Sequence, residues 1–140
     1  MNTSDFFKLT NEYSFIEAGE ICLFNDRFSF KQQSESNKHG FVYLWVEVTE
    51  HAHTVVYVGK AGKTLKARCN QHLGGFHGGS GAGLKNAALL RIGMDRGCRY
   101  FLYARKSSLV TVCGEANIPN ECVEELAFIK KFKSTLWNRA

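Results

Sequence analysis

The sequence predicts an α+β domain in which antiparallel strands precede and follow helices. FVYLWVEV (Phe41 to Val48) and VVYVG (Val55 to Gly59) are both strand-forming, and only the polar stretch TEHAHT separates them, so they read as an antiparallel hairpin with a six-residue connection. Directly after Gly59 the preference changes to helix in KAGKTLKARCNQHL, where Leu65, Cys69 and Leu73 recur on one face. A length of 140 residues allows one domain with a single core.

The elements follow in order. The first forty residues mix aromatic and acidic groups and end in KQQSESNKHG, a polar stretch suited to a loop. They are expected to form an N-terminal extension, residues 1–39, packed on or beside a core of residues 40–140. After the hairpin, Thr64 is a candidate N-cap for a helix over residues 63–73, and Gly74 and Gly75 are expected to stop it. Six of the ten residues from Gly74 to Gly83 are glycine, which predicts a mobile or tightly turning segment. It lacks the order of a nucleotide-binding glycine loop. GLKNAALLRIGMDRG reads as a second helix, CRYFLYAR as a core strand and SLVTVCG as a further strand. NIPNECVEELAFIKKFKSTLW resumes helical periodicity with Pro119 near its start.

Composition narrows the class. No apolar run reaches the roughly 20 residues needed to cross a bilayer, and the start MNTSDFFKLT has no signal-peptide pattern. Five cysteines without a CxxC pair argue against a disulfide framework and a thiolate zinc site. A soluble cytoplasmic protein with no membrane association is the expectation. Residues 1–50 carry a net charge of −4 and residues 51–140 a net of +9, so the second part is the one suited to a polyanion. His51 and His53 have no acidic or thiol ligand set beside them and read as part of the hairpin connection.

Within this frame, Arg68 and His72 are four residues apart and share a helix face. Tyr43 and Tyr57 lie on the two hairpin strands, where pairing can bring them onto one face; the register is left open. Phe41-Val42-Tyr43, then Tyr57-Val58-Gly59, then the spacing YVG-x8-R-x3-H resembles the GIY-YIG family of nucleases. The resemblance runs from Gly40 to about Asn138. It departs from the family pattern at Phe41, which stands where the first glycine is usual, Gly40 lying one residue earlier.

The resemblance implies a small antiparallel sheet flanked by helices and a site of two tyrosines, an arginine, a histidine and a glutamate around one divalent metal. Tyr43 and Tyr57 match the two signature tyrosines, Arg68 the family arginine and His72 the histidine of some members. Glu125, in Glu125-Leu126-Ala127-Phe128-Ile129, matches the metal-binding glutamate, with Glu121 one turn earlier as its substitute and Glu124 about 100° around the helix. Asn138 resembles a late asparagine that supports the site. The ion would be Mg2+, with Mn2+ as the alternative, since a hard carboxylate suits either.

On this reading Arg68 holds the scissile phosphate, and Tyr43 activates or positions the attacking water with help from His72. Tyr57 orients the phosphate or the nucleophile, and the two tyrosines are exchangeable in these roles. An ordinary tyrosine titrates near pH 10, so its use as a base requires a nearby cation or a relay. Lys60, Lys63 and Lys66 at the entry of the helix, with Lys85 and Arg91 beyond the glycines, are candidate contacts to phosphates. The expected activity is metal-dependent hydrolysis of DNA, with RNA as a second substrate class. A catalytically inactive nucleic-acid-binding protein is the alternative. Recognition would come from the chain's unusual segments, a homodimer or a protein partner.

Overall fold

The computed structural model describes residues 1–32 and 40–138. Its helices are α1 (Thr3–Glu12), α2 (Leu65–Gly74), α3 (Gly81–Asp95) and α4 (Glu121–Phe132). The main strands are β1 (Ile16–Phe24), β2 (Arg27–Gln32), β3 (Phe41–Val48), β4 (His53–Ala61) and β5 (Arg99–Lys106). A short hairpin, β6 (Leu109–Val112) and β7 (Glu115–Pro119), leads into α4. The five main strands form one antiparallel sheet in the order β2-β1-β5-β3-β4. The α+β architecture of a small antiparallel sheet flanked by helices is therefore the one expected.

Helices cover both faces of the sheet. On one side Tyr43, Trp45 and Leu102 pack with Leu65 and Cys69 of α2 and Ala87 and Leu90 of α3. On the other, Val42, Leu44 and Val46 pack with Phe6 of α1 and Phe128 and Phe132 of α4. A strand buried on both faces needs apolar side chains at successive positions rather than alternate ones. The first six residues of β3 are accordingly all buried.

Residues 1–32, read from the sequence as an extension, supply α1, β1 and β2, and β1 lies inside the sheet between β2 and β5. Its sequence, IEAGEICLF, interleaves Glu17, Gly19 and Glu20 with apolar residues, and only Ile21 is buried. Strand propensity alone does not reveal it; pairing with β5 forms it. The expected loop at residues 31–40 falls mostly on positions 33–39, outside the described residues.

Three boundaries differ from expectation. His53 and Thr54 join β4, so the hairpin connection is residues 49–52. Gly74 and Gly75 do not stop α2: both keep right-handed helical angles, and a π-helical turn, Gly75–Gly79, carries the chain on until Gly78 turns to φ +109°. Phe76, 2 % exposed, anchors this turn in the core. The glycines serve a close crossing, since a Cβ on Gly83 would come within 2.3 Å of the Gly75 carbonyl carbon. Finally, Asn117 to Pro119 belong to β7, and α4 begins at Glu121. A proline without an N–H fits the end of a two-stranded ribbon as readily as a helix start.

The cysteines are free thiols. No described helix is long and apolar enough to cross a membrane.

Candidate active site

Strand β4 is an edge of the sheet, and the sequence-predicted site residues collect around it. In the β3–β4 register Tyr43 pairs with Gly59 and Trp45 with Tyr57, so the two phenols are diagonal neighbours on one face. Their ring centroids are 6.3 Å apart. A Cβ on Gly59 would come within 2.3 Å of the Tyr43 ring, so the glycine makes room for that ring to lie across β4. Trp45, which the sequence reading passed over, stacks on Tyr57 at 4.3 Å. Its signal was period-two spacing from Tyr43 on a strand. Tyr43 is 1 % exposed whereas Tyr57 is partly open to solvent.

Helix α2 supplies the other two groups. Thr64 caps it, its side-chain oxygen accepting from the Ala67 N–H at 3.1 Å. That start sets the phase in which Arg68 and His72 face the tyrosines. The Tyr43 hydroxyl meets Nε2 of His72 at 2.5 Å. The Arg68 guanidinium sits beside both phenols, and Nη1 donates to Oε1 of Gln71 at 2.9 Å, which orients the fork.

Burial pushes the Tyr43 hydroxyl well above its ordinary pKa, and neighbouring Tyr57 adds to the shift while Arg68 opposes it. Burial also raises Tyr57, again opposed by Arg68. Both phenols are therefore protonated near neutrality. Burial opposes the charge on Arg68, but Tyr43, Tyr57 and Glu125 outweigh it and its pKa rises. His72 is pushed down to about 3, by burial first and by Arg68 second, so its imidazole is neutral and can accept a hydrogen bond from the Tyr43 hydroxyl.

This shift has a sign that can be measured. Below an ordinary histidine pKa near 6.5 the unfolded chain takes up a proton that folded His72 refuses, so His72 makes stability fall as pH drops from about 6.5 toward 3. Urea unfolding at pH 7 and pH 4.5 should show His72→Gln losing roughly 2 kcal/mol less than the parent over that interval. Equal losses would contradict a neutral, buried His72.

Helix α4 crosses the opposite face and brings its carboxylates to the same edge. Oε1 of Glu125 lies 3.9 Å from Nζ of Lys60, and Glu125 is close enough to Tyr57 and Arg68 to act on the ionisation of both. Burial raises its pKa, with Lys60 and Arg68 pulling it back. Glu124 serves another purpose. It pairs with Arg105 at 3.0 Å and accepts from the Ser108 N–H and hydroxyl at 2.8 and 2.6 Å, tying α4 to the end of β5. The Glu121 carboxylate packs against Gly40, close enough that a Cβ there would come within 2.3 Å of it.

Among the described residues no group of three or more His, Cys, Asp or Glu could by itself enclose a metal ion. The donor chemistry does suit one weakly held hard cation. Glu125 offers a partly desolvated carboxylate whose contact to Lys60 is longer than a hydrogen bond, and water and phosphate oxygens can supply the remaining positions.

Asn138 reaches the site from far along the chain. Its Oδ1 accepts from the Val58 N–H at 2.9 Å and its Nδ2 donates to the Val58 carbonyl at 2.8 Å, so one side chain satisfies both outward backbone groups of that edge residue. The Trp137 N–H donates to the Val56 carbonyl at 2.7 Å, and the Thr135 hydroxyl to the Val55 carbonyl at 2.6 Å. Residues 135–138 thus form a strap along β4.

The candidate nucleic-acid contacts do not form one uniform strip. Lys63 and Lys66 are exposed at the start of α2. Lys60 lies between Glu125 and the Cys122 thiol, which is 3.4 Å away. Lys85 donates to the Trp137 carbonyl at 3.1 Å, and the Arg91 guanidinium sits 4.9 Å over the Phe28 ring.

A family model described as the GIY-YIG catalytic domain matches residues 22–96. A mutant of bacteriophage T4 EndoII is similar in structure, with a TM-score of 0.68 and 28 % identity over 95 % of this chain and 98 % of that one. The restriction endonuclease HPY188I in complex with product DNA gives a TM-score of 0.48 and 18 % identity, over 96 % of this chain and 80 % of that one. No curated protein matches significantly.

Proposed function

Since the chain belongs to the GIY-YIG nuclease family, we propose that it is a metal-dependent DNA endonuclease that hydrolyses phosphodiester bonds by water attack at the edge of β4. The observation that carries this reading is the convergence of Tyr43, Tyr57, Arg68 and His72 with Glu125, which comes from the opposite face of the sheet. The similarity to T4 EndoII over nearly the whole of both chains supports it. The competing reading, a nucleic-acid-binding protein without catalysis, would need neither a carboxylate beside the arginine nor a neutral histidine bonded to a buried phenol.

Arg68 binds the scissile phosphate with its fork and neutralises charge that builds up on the non-bridging oxygens. Tyr57, the more exposed phenol, accepts from Arg68 and directs its own proton outward to the phosphate. Tyr43 lies behind it, and its hydroxyl donates to Nε2 of the neutral His72, which turns the phenol oxygen's lone pairs toward the attacking water and positions it. A tyrosine with a raised pKa stays protonated, so its part is to orient the water rather than to take the proton as a phenolate. A divalent cation held by Glu125, Mg2+ or Mn2+, would polarise the phosphate and stabilise the leaving oxygen when bound. Lys60, Lys63 and Lys66 would guide the backbone into the site.

The test is cleavage of supercoiled, linear and single-stranded DNA, and of RNA, with and without Mg2+ or Mn2+. Tyr57→Phe and Tyr43→Phe should each lower the rate about a hundredfold. Neither variant should move the pH profile across neutrality, because both phenols and His72 keep one protonation state there. Unchanged rates in both variants would remove the phenols from the reaction.

A further inference from the structure

The basic residue Lys85, a candidate phosphate contact by sequence, has a different geometry from a free surface cation. Its Nζ, on α3, donates to the Trp137 carbonyl at 3.1 Å. The N–H of the same residue donates to the Val56 carbonyl, and Asn138 holds both backbone groups of Val58. Val56 and Val58 are the two neighbours of Tyr57, so the strap grips the catalytic strand on either side of the phenol. The indole of Trp137 meets Trp45 edge-on at 6.4 Å, and Trp45 in turn stacks on Tyr57 at 4.3 Å. Trp137 therefore holds the backbone beside Tyr57 directly and backs its ring through Trp45, and Lys85 ties Trp137 to α3. Helix α3 packs against α2 and the π-helical turn, the segment that carries Arg68 and His72.

We propose that the Lys85–Trp137 contact is a latch that fixes Tyr57 relative to Arg68, making Lys85 and Trp137 positioning residues rather than phosphate ligands. This rests on the nuclease reading for its catalytic consequence but not for its structural one. Neutralising a phosphate contact and loosening a positioning contact leave opposite kinetic signatures. Loss of a phosphate contact weakens binding and makes its salt dependence shallower by about 0.9 in the logarithmic slope. Loss of a positioning contact leaves binding alone and lowers turnover, because small misplacements of reacting groups are costly.

Lys85→Met keeps the aliphatic stem and removes the donor. It should lower kcat about tenfold with KM and the salt slope unchanged, and Lys85→Arg should restore most of the rate. The chain has two tryptophans, Trp45 fully buried and Trp137 partly so. Release of the strap should therefore move the tryptophan emission to longer wavelength in Lys85→Met and not in Lys85→Arg. A raised KM and a shallower salt slope with kcat intact would overturn the latch and return Lys85 to the phosphate track. So would a Lys85→Met variant indistinguishable from the parent in rate and emission. If the parent cleaves no nucleic acid, the nuclease reading fails, and the emission comparison still decides the latch.

Discussion

Arg68→Ala should reduce the cleavage rate about a thousandfold at saturating DNA, the cost of removing one preorganised charge-stabilising donor from a transition state. The environment of Arg68 makes the effect large. The guanidinium is partly buried, steered by Gln71 and flanked by two phenols that remain protonated, so its charge is held in place against the phosphate. Lys63 precedes the helix and Lys66 lies in its first turn, and both are exposed. Binding should weaken far less than turnover, because on the proposed roles Lys60, Lys63 and Lys66 also guide the DNA backbone. Single-turnover rates beside equilibrium binding make the comparison. A rate within threefold of the parent would move the scissile phosphate away from Arg68.

Glu125→Gln should be at least as damaging, with a loss of about a thousandfold or more in metal-supported cleavage. The amide keeps the size of the side chain and removes the charge, so the fold is preserved. DNA binding without metal should hold or tighten slightly, since a negative charge has been taken from the proposed phosphate site. The same substitution at Glu124 makes an informative contrast. It removes the charge that pairs with Arg105, although the amide oxygen can still accept from Ser108, and should appear as lost stability with the metal dependence unchanged. If Glu124→Gln abolished metal dependence and Glu125→Gln did not, the assignment of the carboxylates along α4 would be reversed.

The readable part of the site was the part built from neighbours in sequence. Tyr43 and Tyr57 sit on adjoining strands, and Arg68 and His72 are one turn apart on the next helix, so spacing puts them within reach, while the strand register that joins the phenols comes from the folded sheet. Glu125 needed the family resemblance, because nothing local shows that α4 returns to β4. Trp45 was hidden for another reason: in a strand buried on both faces every position is apolar, and a tryptophan chosen to back Tyr57 looks like any core residue. The strap was equally silent. Its contacts join residues about 80 positions apart, and register over such a distance follows from the folded sheet. The place of β1 was illegible on the same grounds, since its partner β5 begins some eighty residues later. The glycine-rich segment misled because glycine ends helices by default, whereas here close backbone crossing holds it helical for a further turn.

The edge position of β4 bears on synthesis. A ribosome that has delivered residues 1–110 has already released both phenols, the guanidinium and the imidazole. The carboxylate and the strap that steadies Tyr57 come only with residues 121–138. Helix α4 also brings Phe128 and Phe132 against Val42 and Leu44, so on the proposed roles the cutting carboxylate arrives together with the second half of the core, and cleavage waits on completion of the fold.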